Sequence, residues 1–227
     1  RGFGRKSARE ETEIPSMQNG YVLSPALLEK RVLNLGCGNY PMEGALNVDI
    51  RPETGCDVLM DLNKPEEIQR LPHGHYDRIS LFHVLEHLDD AFKTVHACTE
   101  LLKPGGILHV RVPHASRGFT HSEHKHGFDV GFPHYFNPAL PTFYYGTVLE
   151  LVSMRLDWAI RFDIYRQIIP LWQVYILWFL NAILTPLANI SCGLCSRLWC
   201  YWVGGFEQIE YMFRKPALSE PIRWRDS

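Results

Sequence analysis

The chain has 227 residues, 46% of them hydrophobic, enough to bury one sizeable core. Its 23 basic and 25 acidic residues leave a formal charge of −2 and are scattered, so no nucleic-acid partner is expected. No apolar signal segment opens the chain, which points to a cytoplasmic protein; residues 1–24 read as a solvated arm, 25–215 as a single domain and 216–227 as a tail.

The first element is an apolar strand that begins at Arg31 and runs into the Gly36-Cys37-Gly38 turn; a second apolar run from Ala45 then ends on Asp49. Glycines let a backbone approach a ligand closely, and a carboxylate at the tip of the next strand can hold a ribose diol. A nicotinamide site would want a third glycine where Pro41 stands, and the interval from Gly38 to Ala45 is too short for a crossover helix. A pyrophosphate site is therefore disfavoured, while a plain structural turn stays open. Asp57 to Asp61 reads as a third short strand, and Tyr76 to Leu88 as a fourth strand entering a helical turn. Leu101 to Pro113 reads as a helix end, a Pro-Gly-Gly turn and a fifth strand.

This order, with LGCG at Leu35–Gly38, Asp49, HVLEHL at His83–Leu88 and LKPGG at Leu102–Gly106, resembles the class I S-adenosylmethionine-dependent methyltransferases, especially their type-11-like group. The resemblance covers Arg31 to Pro113 well and the remainder loosely. It implies an α/β fold: a seven-stranded Rossmann-like sheet with helices on both faces. It also implies that Gly36, Cys37 and Gly38 face the methionine part of S-adenosylmethionine, with Leu35 counted among the cofactor residues. Asp49 would take the ribose hydroxyls, Ile50 would lie against the adenine, Asp61 or Leu62 near the adenine edge, and His83 beside the methyl group. The missing first helix departs from the commoner family pattern and gives no basis for a helix-dipole contact in the first loop.

Further along, Met154 to Tyr165 alternates apolar and polar residues and predicts a half-exposed strand, as does Glu207 to Phe213. These match the sixth and seventh strands of such a sheet, an antiparallel pair at one edge. Two insertions follow: about 114–141 and 166–205, both leaving the carboxyl ends of strands and so expected to form a lid over one mouth. The first holds His114, His121, His124, His126 and His134. Three explanations stay open: a metal site from His121, His124 and Glu123 or Asp129, acid–base chemistry, or satisfied loop and core histidines. His124-Lys125 followed by Gly127-Phe128 resembles a pattern of related methyltransferases, which favours a substrate-side role for His124. No metal is assigned. Cys192, Cys195 and Cys200 have one metal-like spacing but no second pair, so helix packing is expected.

The expected activity is methyl transfer from S-adenosylmethionine to an oxygen of a small, sugar-containing or lipid-linked acceptor, with His83 and His124 as candidate bases. Glu86 and His87 read as structural. The alternative is a catalytically silent cofactor-binding protein that presents its apolar lid to a partner or membrane. Gln167 to Ser196 contains no charged residue, and Pro170, Gln173, Asn181, Pro186 and Asn189 interrupt it. It therefore reads as an interfacial or lid helix in peripheral contact with a membrane rather than as a span, with buried core as the competing reading.

Overall fold

A computed structural model describes residues 23–118, 121–143 and 146–217. The expected tail beyond residue 217, and all but the last two residues of the expected arm, lie outside the described residues. Seven strands form one sheet: β1 (Val32–Leu35), β2 (Ala45–Asp49), β3 (Val58–Leu59), β4 (Tyr76–Phe82), β5 (Leu102–Pro113), β6 (Glu150–Asp157) and β7 (Gln208–Arg214). Their spatial order is β3-β2-β1-β4-β5-β7-β6. β1 to β5 are parallel, and β7 runs antiparallel to both β5 and β6. β1 and β2 are apolar on both faces apart from Asn34, Asn47 and Asp49, as strands covered on two sides must be.

The helices are α1 (Pro25–Leu28), α2 (Pro65–Ile68), α3 (Ala91–Leu101), α4 (Ala115–Gly118), α5 (Phe162–Ile168), α6 (Leu171–Ala188) and α7 (Cys192–Arg197). No helix joins β1 to β2, as the short interval required. Asn47 organises that loop instead. Its amide oxygen accepts the Met42 N–H at 2.7 Å and the Asn34 side chain at 2.9 Å, and its amide nitrogen donates to the Met42 carbonyl at 3.0 Å. α3 starts at Asp90, whose carboxylate accepts the Lys93 N–H at 3.0 Å and caps an otherwise unpaired donor.

β6 differs from the strand its alternation predicts. It lies between Glu150 and Asp157, and Phe162 already opens α5, although the apolar–polar pattern runs on to Tyr165. The cause is capture of the next backbone donors by side chains. The Trp158 N–H donates to Thr185 Oγ1 (3.1 Å), Ala159 N–H to Asn181 Oδ1 (3.0 Å) and Ile160 N–H to Glu207 Oε2 (2.6 Å). Two residues earlier, Asn189 pairs with β6 as a neighbouring strand would: it accepts the Leu156 N–H at 2.9 Å and donates to the Leu156 carbonyl at 2.8 Å. Asn181, Thr185 and Asn189 are four residues apart and share one helical stripe. The polar residues that interrupt the apolar run thus clasp the open edge of the sheet, an edge that would otherwise present unpaired groups.

The other excursion divides in two. Phe128, Phe132 and Phe136 are buried core residues, with Phe132 5.5 Å from Tyr211 and Phe136 5.5 Å from Phe213 between ring centroids. The Tyr211 hydroxyl donates to the Asp129 carbonyl at 2.6 Å and fixes this half to β7. Cys192, Cys195 and Cys200 are buried free thiols, and burial raises the pKa of each.

Replacing Asn189 by Ala leaves both Leu156 backbone groups without their partner. The variant should lose about 1–3 kcal/mol of stability in urea unfolding. A change inside the error of the measurement would mean that Asn189 does not hold the edge.

Candidate functional site

Parallel strands point their carboxyl ends the same way, and the order reverses between β1 and β4, where α/β sheets place ligands. Leu35, Asp49, Phe82 and Pro113 end their strands on this side. Pro113 is in register with Gln208, and Gln208 with Asp157, so the far ends of β6 and β7 join the same rim.

The loop after β1 is shaped by two glycines in the left-handed region, Gly36 at φ 67° and Gly38 at φ 53°. The Gly36 and Cys37 N–H groups both donate to the Val48 carbonyl, at 2.8 and 3.0 Å, which folds the loop over the tip of β2. Asp49, 5% exposed, accepts the Gly38 N–H at 2.8 Å and the Arg51 N–H at 2.9 Å, one on each carboxylate oxygen. A carboxylate accepts about four bonds, so it retains capacity for a ligand hydroxyl. Leu35 and Cys37 turn their side chains into the core, and burial raises the Cys37 thiol pKa. Ile50 and Tyr40 stand exposed at the rim, and nothing in the spacing had singled out Tyr40. Asp61 is partly buried and accepts the Asn63 N–H at 3.0 Å, whereas Leu62 belongs to the core and offers a ligand only its backbone.

His83 follows β4. Among the described residues it is the one non-glycine with positive φ, at 56°, a conformation that costs about 1–3 kcal/mol. The strain has a structural reason, because the turn brings Val84 against Gly36. A Cβ on Gly36 would lie 2.4 Å from Val84 Cγ2. The Gln208 amide donates to Asp157 Oδ2 at 3.0 Å, so its oxygen is the acceptor for His83 Nε2, also at 3.0 Å. His83 Nδ1 then faces Glu86 Oε1 at 3.4 Å. Gln208 and Asp157 are buried polar residues at strand tips far along the chain, and sequence reasoning missed both.

The five histidines have separate fates. His114 is buried between Ser116 Oγ (2.7 Å) and Ser196 Oγ (2.8 Å), and burial pushes its pKa down to about 4, so it is a satisfied core histidine. His134 is exposed, and His126 reaches the Asp89 carbonyl at 3.3 Å. His121 stacks on His124 at 4.5 Å, and His124 meets His87 edge-on at 5.0 Å. The proposed grouping of His121 and His124 with Glu123 or Asp129 is not the one that forms. Among the described residues, the ligand-capable atoms that converge belong to Glu86, His87 and His124, while Asp129 caps the Gly131 N–H at 2.7 Å.

A family model described as a methyltransferase domain matches residues 20–150. Ubiquinone biosynthesis O-methyltransferases from Nitrosospira multiformis and Salmonella arizonae are 31% and 32% identical over 114 residues. Those matches cover 41% of this chain, and 48% and 47% of the respective relatives. The chain thus spans about half the length of the curated relatives it matches. A solved S-adenosylmethionine-dependent methyltransferase from Archaeoglobus fulgidus superposes with a TM-score of 0.51 at 16% identity, over 82% of this chain and 86% of that one, and shows the shared fold. The chain belongs to the methyltransferase-domain family and has the class I, S-adenosylmethionine-dependent architecture.

Gly36 and Gly44 provide a controlled comparison, since both have positive φ but a Cβ on Gly44 would meet nothing within 4 Å. Gly44→Ala should cost only the left-handed term, about 1–2 kcal/mol. Gly36→Ala should cost about 1–3 kcal/mol more through the clash with Val84. Equal thermal stability of the two variants would contradict the close approach.

Proposed function

We propose that the chain binds S-adenosylmethionine in the loop held by Asp49 and transfers its methyl group to an oxygen of a small, sugar-containing or lipid-linked acceptor. The observation that carries this reading is the buried Asp49 carboxylate, fixed at the tip of β2 by the Gly38 and Arg51 N–H groups beside the strand-order reversal. The names of the curated relatives, O-methyltransferases of ubiquinone biosynthesis, support oxygen as the methylated atom.

In this reading Asp49 takes the ribose hydroxyls, and the Gly36–Gly38 backbone passes close to the methionine part, backed from beneath by Leu35 and Cys37. Ile50 covers the adenine, with Asp61 and the Leu62 backbone at its edge. The cofactor supplies an electrophilic methyl, so the protein has to align an acceptor oxygen, remove its proton and exclude water. His83 is the proposed base. Its Nε2 donates to Gln208, which leaves Nδ1 as the accepting nitrogen, 3.4 Å from Glu86, on a side chain that is 41% exposed. His124, on the facing loop, borders the acceptor side.

The exposed face of α6 supports a lipidic acceptor or membrane surface. Trp172, Tyr175, Trp178 and Phe179 are each more than half exposed, and only 17% of the helix is buried. From Asn189 beside Leu156 to Asn181 beside Ala159, the helix rises past the carboxyl end of β6, and its earlier half projects beyond the rim where the site lies. Apolar aromatics at that height suit insertion at a membrane interface.

Calorimetry should detect binding of S-adenosylmethionine and S-adenosylhomocysteine but not NAD. Asp49→Ala should weaken binding by about 1.5–3 kcal/mol per lost charge-assisted bond. His83→Ala should bind the cofactor normally yet transfer label from S-adenosylmethionine to a total lipid extract about 10²–10⁴ times more slowly. Uptake of NAD alone, or unchanged transfer by the His83 variant, would overturn the respective assignment. In liposome flotation the wild type should rise with vesicles, and a variant with Trp172, Trp178 and Phe179 changed to Ser should stay below. Equal recovery of both in the soluble fraction would remove the membrane contact.

A further inference from the structure

Among the described residues, Glu86 is the charged side chain with both oxygens buried and unpartnered. Its side chain is 1% exposed, and neither carboxylate oxygen has a hydrogen-bond partner. Burying a carboxyl group without a partner costs several kcal/mol, so a proton or a cation held beside it has to compensate. Its nearest neighbours are two imidazoles: His83 Nδ1 at 3.4 Å and His87 Nε2 at 3.9 Å from the same oxygen.

The opposite nitrogen of each ring is already committed as a donor. His83 Nε2 must give its proton to Gln208 Oε1, because the Gln208 amide nitrogen is spent on Asp157. His87 Nδ1 lies 3.3 Å from the Glu123 carbonyl, which can only accept. In their neutral forms, both rings therefore turn lone pairs, not protons, toward a buried carboxylate. Three acceptors facing one another are repulsive unless a proton or a cation lies among them.

His124 completes the arrangement. Ligand-capable atoms of Glu86, His87 and His124 lie within 4.8 Å of one another, which small side-chain movements convert into a shared coordination sphere. The third residue is delivered by the loop after β5, and that loop is anchored to the Glu86 turn at several points. The Lys125 N–H donates to the Glu86 carbonyl at 2.7 Å, and the Lys125 ammonium pairs with Asp89 at 2.6 Å. The bond from His87 to the Glu123 carbonyl also matches the outer contact that orients a metal-bound imidazole and fixes its tautomer.

We propose that Glu86, His87 and His124 bind a divalent transition-metal ion at the mouth of the site. Two imidazoles and one carboxylate suit zinc and its first-row neighbours rather than calcium or magnesium, and three protein ligands leave positions open to an incoming oxygen. Its role in catalysis rests on the methyl-transfer reading above: the ion holds the acceptor hydroxyl and lowers its pKa, and His83, just outside the triad, takes the proton. The His121, His124 and Glu123 or Asp129 grouping considered from sequence shares only His124 with this site.

The test is metal uptake by the full chain, independent of turnover. Purified protein is stripped with chelator and dialysed, then titrated with Zn²⁺ and separately with Co²⁺, whose visible absorption reports nitrogen and oxygen ligation. The wild type should bind about one equivalent. His124→Ala, a change on a partly exposed loop, and Glu86→Gln should each weaken uptake at least about tenfold while keeping the wild-type circular dichroism and S-adenosylmethionine binding. His121→Ala should bind the ion as the wild type does. Failure of the wild type to bind either ion, or loss of uptake in the His121 variant but not in the Glu86 variant, would overturn the site. Metal uptake without methyl transfer to any acceptor would instead retain the site and count against the catalytic reading.

Discussion

The contact between Gly36 and Val84 is the constraint on which the mouth of this protein depends. Two strand ends from opposite sides of the order reversal meet there, with too little room for a methyl group on the first. Glycine at one position and a left-handed histidine at the other are the two conformational concessions that let them close. The result is that a loop suited to a nucleoside and a turn carrying His83, Glu86 and His87 are held as one unit rather than as two independent loops. Asp49 then fixes the other side of the same loop, so its position is set from both ends of the site.

A second constraint shapes the far edge. β6 leaves one side of the sheet open, and the protein closes it with a helix whose polar stripe imitates a strand. Spending Asn181, Thr185 and Asn189 inward leaves α6 almost purely apolar outward. A helix in this position protects the edge through these polar residues and leaves Trp172, Tyr175, Trp178 and Phe179 exposed.

Much of this was legible in the sequence, because strands buried on both faces read as apolar runs and glycine turns are local signals. The parallel core, the absent first helix and the late antiparallel pair follow from such signals, and Asp49 stands where spacing placed it. What was not legible depends on partners distant along the chain. The end of β6 is set by Thr185 and Asn181, so alternation through Tyr165 overran it. Glu86 looked structural because its significance lies in what fails to contact it, and Gln208 selects the His83 tautomer from the far end of the chain. The histidine cluster was visible as a composition, but its sorting into a core residue, surface residues and one inward-facing ring needed the anchoring of the loop by Lys125.

The most direct test is an experimental structure of the chain with S-adenosylhomocysteine bound. Both ribose hydroxyls are expected on the Asp49 carboxylate, the Gly36–Gly38 backbone along the homocysteine part, and the sulfur facing His83. A ligand seated elsewhere, or bound here with Asp49 still occupied only by Gly38 and Arg51, would contradict this placement.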